Sequence, residues 1–285
     1  MVRIIADSTC DLPDTLLAQY NITLLPLHIV LGEASYKDRL EITPDEIYAW
    51  SNRTKASPKT SAPNVAQITD LIRPYYDQGD EILLMSISEN MSSAASNMHL
   101  AAQSFDMPER IRIIESSNLS TGFGLLAIEA AYLAKAGKSA DEIAAHIETL
   151  KPLIRASFVV DTLTFLERGG RCSGAAALAG SILKLHPKIV VQDGKMHVSH
   201  KYRGSIQKAI FAYVDDLIPS LMNAQPRRVF ITHSGCDAAT VDTVFKRLSA
   251  LNHFDEILVT QAGGVISSHC GPGTLGVLFI AQGEE

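Results

Sequence analysis

The chain lacks the marks of several large classes of protein. Its four cysteines, at 10, 172, 236 and 270, stand too far apart for a Cys-x-x-Cys metal pair. A chain of 285 residues also has core enough to need no disulfide framework. A reduced, cytoplasmic compartment is the expectation. Basic residues are in the minority: 25 Lys and Arg against 31 Asp and Glu leave a net charge of -6. That is the wrong sign for a nucleic-acid surface. No apolar run approaches the roughly 20 residues that span a bilayer, and MVRIIADSTC holds too short an apolar segment for a signal peptide. There is no G-x-x-x-x-G-K-[ST] loop, and Gly122-Phe123-Gly124 lacks the third glycine of a dinucleotide fingerprint. The histidines at 186, 197, 200, 233, 253 and 269 are scattered and no H-E-x-x-H occurs, so neither metal nor cofactor is expected.

What is present is the balance of a water-soluble globular chain, 46% hydrophobic and 20% charged, long enough for two domains. Over the first half, strand and helix signals alternate. Residues 2–6 read as a buried strand, followed by a turn in which Asp11 is placed to cap a short helix. Residues 22–31 read as one or two strands broken at Pro26. Thr43, Pro44 and Glu46 fit the N-cap, N1 and N3 positions of a helix, and Ser61-Ala62-Pro63 opens another. Strands at 81–87 and 110–115 alternate with helices at 92–104 and 124–136, and Ser139 starts one more. This alternation predicts a mainly parallel sheet flanked by helices. From about residue 155 the pattern changes. Strand signals at 188–191 and 196–200 flank Asp193-Gly194, a two-residue hairpin loop. Helices at 204–222 and 237–251 and strands at 228–232, near 256 and near 275 follow. The expected fold is two-domain α/β: an N-terminal α/β domain over 1–155, and a C-terminal α+β domain over 156–285 with antiparallel pairing.

Serine and threonine gather in the loops after the strand signals: Ser8-Thr9, Thr60-Ser61, Ser86 through Ser93, and Ser116 through Thr121. In a parallel sheet such loops share the edge beyond the carboxyl ends of the strands, where helix N-termini favour an anion. Taken singly, each hydroxyl is as well explained as an N-cap. Gly169 and Gly170 leave room for a close approach, and Arg171 beside them offers a fork of donors to an acidic group. The small-residue stretch 174–183 reads as a helix that packs closely on a neighbour or on an apolar ligand. Arg203 adds a cation after the hairpin. Near the C-terminus, SSHCGPGTLG (267–276) leaves three readings open: a Cys-His nucleophile, an anion cradle or a tight turn. In an extended segment His269 and Cys270 would point to opposite faces, against the nucleophile. Gly271, Gly273 and Gly276 would instead free backbone N–H groups as a nest, with His269 donating to the anion. The competing class is a small-molecule hydrolase or transferase using Cys270 with His269, or Ser92.

Five blocks carry a resemblance: IIADSTCDLP (4–13), KTSAP (59–63), VDTLTFLERGGRCS (160–173), HPKIVVQDGK (186–195) and SSHCGPGTLGV (267–277). In this order and spacing they resemble the DegV family of bacterial fatty-acid-binding proteins, which includes the carrier subunits of fatty acid kinase. The resemblance implies a lipid carrier rather than an enzyme. One long-chain fatty acid would lie in an apolar tunnel with its carboxylate between the two domains. A separate kinase would phosphorylate that carboxylate, on the way to phospholipid synthesis. By motif, Thr60, Ser61, Ser92, Ser93, His269, Cys270 and Gly271 would surround the carboxylate, and Arg171 and Arg203 would face the acyl phosphate or the kinase. The bound fatty acid is the ligand and no cofactor is implied. Nor is nucleic acid or stable membrane insertion; contact with a membrane surface would be transient. Several positions depart from the family pattern. Ser93 and Ala94 replace the glycine and threonine of LSGTY, Cys270 stands where threonine is common, and Asn64 and Gly204 replace a serine and a threonine.

Overall fold

The computed structural model describes residues 1–173 and 185–283. Strands β1 (Val2–Asp7), β2 (Ile22–Leu25), β6 (Glu81–Ser86) and β7 (Ile111–Glu115) form an all-parallel sheet in the order β2-β1-β6-β7. Pro26 falls between β2 and β3 (His28–Leu31), where a residue with no N–H costs no ladder bond. Strand β3 leaves the parallel sheet and pairs antiparallel with β4 (Ala34–Lys37) and β5 (Lys59–Ser61).

Six helices belong to this half: α1 (Asp14–Tyr20), α2 (Pro44–Thr54), α3 (Val65–Asp77), α4 (Ala94–Ala102), α5 (Ser120–Lys135) and α6 (Ala140–Leu150). Two begin where the sequence predicts. Thr43 with Glu46, and Ser139 with Glu142, form complete capping boxes. Helix α3 starts later than the reading at 61, because Asn64 and Gln67 make the box there. The cap after β1 is Asp7, whose carboxylate accepts from the Thr9 N–H, and not Asp11 as the sequence suggested. Asp11 takes a left-handed backbone with φ 51° and turns its carboxylate inward.

The second half builds a seven-stranded sheet from β8 (Ile154–Val159), β9 (Cys172–Ser173), β10 (Leu185–Gln192), β11 (Lys195–Arg203), β12 (Ala224–Ser234), β13 (Glu256–Gln261) and β14 (Thr274–Ala281). The order is β13-β12-β14-β8-β10-β11-β9, antiparallel except at its two edges. Asp193 and Gly194, at φ 50° and 70°, make the tight β10–β11 loop, the geometry that fits the right-handed twist of a hairpin. Helices α7 (Thr164–Gly169), α8 (Ile206–Met222), α9 (Ala238–Ala250) and α10 (Gly264–Cys270) complete the chain. The small-residue helix expected over 174–183 lies outside the described residues.

Side-chain alternation sets the layers. On β1, Ile5 faces α3 and α4 beside Ile68, Ile72 and Met98, while Ile4 and Ala6 face α5. On the second sheet, Val229, Ile231 and Val277 face α8 and α9, and Phe230, Leu278 and Ile280 face α5. Helix α5 therefore lies between the two sheets, touching β1 on one side and β8, β12 and β14 on the other. Each fully buried Phe, Leu or Ile in such a layer contributes roughly 1.5–3 kcal/mol. Gly122 and Gly124 belong to this buried helix and not to a phosphate turn. Among the described residues no helix is long and apolar enough to cross a membrane.

Candidate functional site

A cavity of ≈ 250 Å³ lies where β5, the loop after β6, the α7–β9 loop and α10 converge. Thr60, Ser61, Ser92, Ser93, Arg171 and His269 form its polar part. Leu27, Ile87, Met91, Met196 and Val265 form much of the rest, with Cys270 between the two. The apolar wall belongs to a cluster that also holds Phe158, Leu166 and Ile189.

Each polar group is positioned from its own element. Thr60 lies on β5, in register with Ile29, and its hydroxyl meets His269 Nε2 at 2.8 Å. Ser92 accepts from the Ala94 N–H at 3.2 Å and so shapes the start of α4. Ser93 sits at the N-cap of α4 but makes no side-chain cap there. Arg171 is tied to backbone on both sides, donating from Nη1 to the Gly169 carbonyl at 2.6 Å and from Nε to Met91 at 3.4 Å.

Helix α10 corrects the sequence reading of the C-terminal block. Residues 264–270 are helical and not extended, so His269 and Cys270 lie about 100° apart around one axis, and both reach the cavity. The glycine nest does not form. The Gly271 N–H donates to the Ser267 carbonyl at 2.9 Å, the Gly273 N–H to Ser234 at 2.7 Å, and Gly276 belongs to β14. Gly271 is not among the residues lining the cavity, which corrects its expected carboxylate role. Its glycine identity has another cause. The φ is 76°, and a Cβ would stand 2.5 Å from the Phe165 ring. Gly169 answers to the cavity itself, since a Cβ there would come 2.3 Å from His269 Nδ1.

Burial sets the protonation states. The His269 pKa is depressed to about 4, first by desolvation and then by the Arg171 charge, so the ring is neutral at physiological pH. Burial pushes the Cys270 thiol up, away from thiolate. The imidazole bond goes to Thr60, so the geometry does not make Cys270 and His269 a nucleophile and base. Among the described residues no three His, Cys, Asp or Glu side chains gather to hold a metal.

The other loop hydroxyls serve the framework. Ser86 donates to Ile87, Ser88 to Gly194, Ser116 to Asn118 and Ser120 to Asp11, and Thr121 meets Thr232. Arg203 is exposed on β11, seven residues beyond the cavity-lining Met196. At about 3.3 Å per residue that is ~23 Å along the strand, so the structure does not bring Arg203 to the site.

Sequence reasoning missed three buried carboxylates that hold α10 in place. Asp11 accepts from the Gly263 N–H at 2.8 Å, Asp38 from the Gly264 N–H at 2.7 Å, and Asp7 joins the ends of β1 and β6 through the Ile87 N–H at 2.9 Å. Burial raises the pKa of Asp7 to about 6, that of Asp11 to about 7, and that of Asp38 as well. The available signal was an acidic pair, Asp7 and Asp11, inside an otherwise apolar and hydroxyl-rich block.

Comparison with known proteins gives one answer over nearly the whole chain. Residues 1–282 match the family described as "Uncharacterised protein, DegV family". A DegV domain-containing protein of Deinococcus radiodurans is 31% identical, covering 97% of each chain. A structure from Thermus thermophilus described as fatty acid binding of a DegV family protein superposes with a TM-score of 0.90 at 31% identity, covering 99% of both chains. A stearic acid-binding protein from Eubacterium ventriosum superposes at 0.82 with 26% identity, covering 99% of this chain and 98% of that one.

Proposed function

The chain belongs to the DegV family, and from that premise we propose that it binds one long-chain fatty acid and presents its carboxylate to a separate kinase. The observation that carries the reading is the division of the cavity. Hydroxyls of Thr60, Ser61, Ser92 and Ser93 and a neutral His269 stand at one part, and leucine, isoleucine, valine and methionine line the remainder. Hydroxyl donors suit a carboxylate, and the Thr60–His269 bond holds one of them in place. The tail supplies most of the affinity, at about 0.8 kcal/mol for each methylene removed from water. A chain of C14 to C18 thus contributes on the order of 10 kcal/mol before ordering costs.

In this reading the protein is a cytoplasmic carrier and not itself an enzyme, its domains divide near residue 155, and its cargo is the only small molecule it needs. Arg171, held at the cavity, meets the head group or the acyl phosphate, while exposed Arg203 meets the kinase. Resemblance and position support this split, since the two arginines lie far apart. Protein purified from a bacterial host should release a fatty acid on organic extraction, detected by mass spectrometry. A ligand-free chain that also fails to take up C14 to C18 acids would defeat the proposal. For the kinase step, Arg203→Ala should keep acid affinity within about 2-fold, as expected for a surface residue, yet lower the rate at which a cognate kinase phosphorylates the bound acid.

A further inference from the structure

Behind the main cavity lies a recess of only ≈ 20 Å³. Leu119, Ile266 and Cys270 line both spaces, so these three side chains form the partition between them. The two spaces also share one apolar cluster, which joins Ile87 and Met196 on the cavity side to Phe158 and Ala262 on the recess side.

The walls differ in stiffness. Met91 and Met196 bound the main cavity, and methionine adapts its shape readily. Around the recess stand Ser120, Thr232, Ser234 and Thr274, whose hydroxyls are committed elsewhere. Ser120 donates to Asp11, and Thr232 meets Thr121 at 2.6 Å and Thr260 at 3.0 Å. Ser234 donates to Ser267 at 3.1 Å, and Thr274 to the Cys270 carbonyl at 3.0 Å. With the hydroxyls held, these residues are fixed around the recess.

From this geometry we infer that the partition of Leu119, Ile266 and Cys270 and the fixed recess behind it determine acyl-chain length: the terminal carbons of the bound acid pass the partition and end against the recess wall. Cys270 is then a tail-selecting residue and not a head-group ligand. This rests on the fatty-acid reading above. It adds a specific property: affinity rises with each added carbon until the recess is full, then falls steeply.

The test is equilibrium binding of straight-chain saturated acids from C12 to C20 to the full-length protein and two variants. Ala262 lines the recess but not the main cavity. Ala262→Leu should therefore shift the best-bound length shorter by about two carbons, with longer acids losing about 4-fold for each methylene excluded. Ile266→Ala widens the partition and should shift the optimum longer. If Ala262→Leu fails to fold, the Ile266→Ala profile decides alone. Should the wild type bind these acids and the folded variants keep its length profile, the recess does not receive the tail and the inference fails. A wild type that binds none of the acids defeats the fatty-acid reading itself, which is a separate outcome.

Discussion

In the loop 169–171, a missing side chain at Gly169 lets the backbone come up against the imidazole of His269; in the loop 271–273, a missing side chain at Gly271 lets the chain turn at φ 76° against the ring of Phe165. Both glycines exclude a Cβ, and the two loops meet through α7 and α10. Yet the first clears space for a residue that lines the cavity, and the second for a residue of the framework. The second loop also spends its amides internally, on Ser267 and Ser234. A glycine in a motif thus marks a close approach without saying what approaches, and only the neighbour tells whether binding or folding depends on it.

Substitutions in the two loops should separate these roles. Gly271→Ala combines a strained backbone with a clash against Phe165, and should cost about 3 kcal/mol of stability. Chemical denaturation measures this, while the folded fraction should keep its affinity for the acid within about 3-fold. Gly169→Ala should show the reverse emphasis. Displacing His269 disturbs Thr60, so affinity should fall by about 2 kcal/mol, roughly 30-fold, with a smaller loss of stability. If both variants lose stability and affinity in the same proportion, the distinction between the loops collapses.

A smaller effect sharpens the contrast from the ligand side. Ser92→Ala should weaken acid binding by about 1.5 kcal/mol, roughly 10-fold, because a hydrogen bond to a charged group is lost. The matching fatty alcohol should lose much less. Parallel titrations decide, and equal losses for the two ligands would assign Ser92 to the start of α4, where it accepts from Ala94.

The smallest effect concerns the carboxylates that hold α10. Asp11, raised to about 7, keeps its proton in the folded state where the unfolded chain has released it. Its contribution therefore favours folding in acid and is lost as pH rises from the ordinary carboxylate range through about 7. His269, depressed to about 4, acts oppositely: below the ordinary imidazole range the unfolded chain takes up the proton first, so stability falls as pH drops towards about 4. Asp11→Asn removes one acid-favouring contribution. Its stability relative to wild type should rise between about pH 5 and about pH 8, as followed by denaturation at each pH. A difference that does not change with pH would mean that Asp11 is ionised in the folded protein.

Most elements were legible because local chemistry and packing agree. The capping boxes at Thr43 and Ser139 and the Asp193-Gly194 loop fix their own geometry with neighbouring residues. The block 264–270 was not legible. GVISSHC is short, rich in serine and β-branched residues and ends at a glycine, so propensity alone does not favour a helix. What makes it one is distant: Asp11 and Asp38 receive the amides of Gly263 and Gly264. The hydroxyl-rich loops were legible as a group and ambiguous one by one. Ser86 and Ser92 stand six residues apart, and nothing local says that the first bonds the neighbouring backbone while the second meets the cavity.

Helix α5 bears on how a ligand gets in. It is a wall common to both sheets, and its cluster joins Ile4 and Leu83 on one side to Phe230, Leu278 and Ile280 on the other. A clamshell motion that swung the sheets apart would tear that cluster open to water. Admission of cargo therefore falls to the small pieces at the rim, the α7–β9 loop and the hairpin tip pinned by the Ser88–Gly194 bond. The two halves are bound to melt as one cooperative unit, with the amides of α5 the last to exchange with solvent.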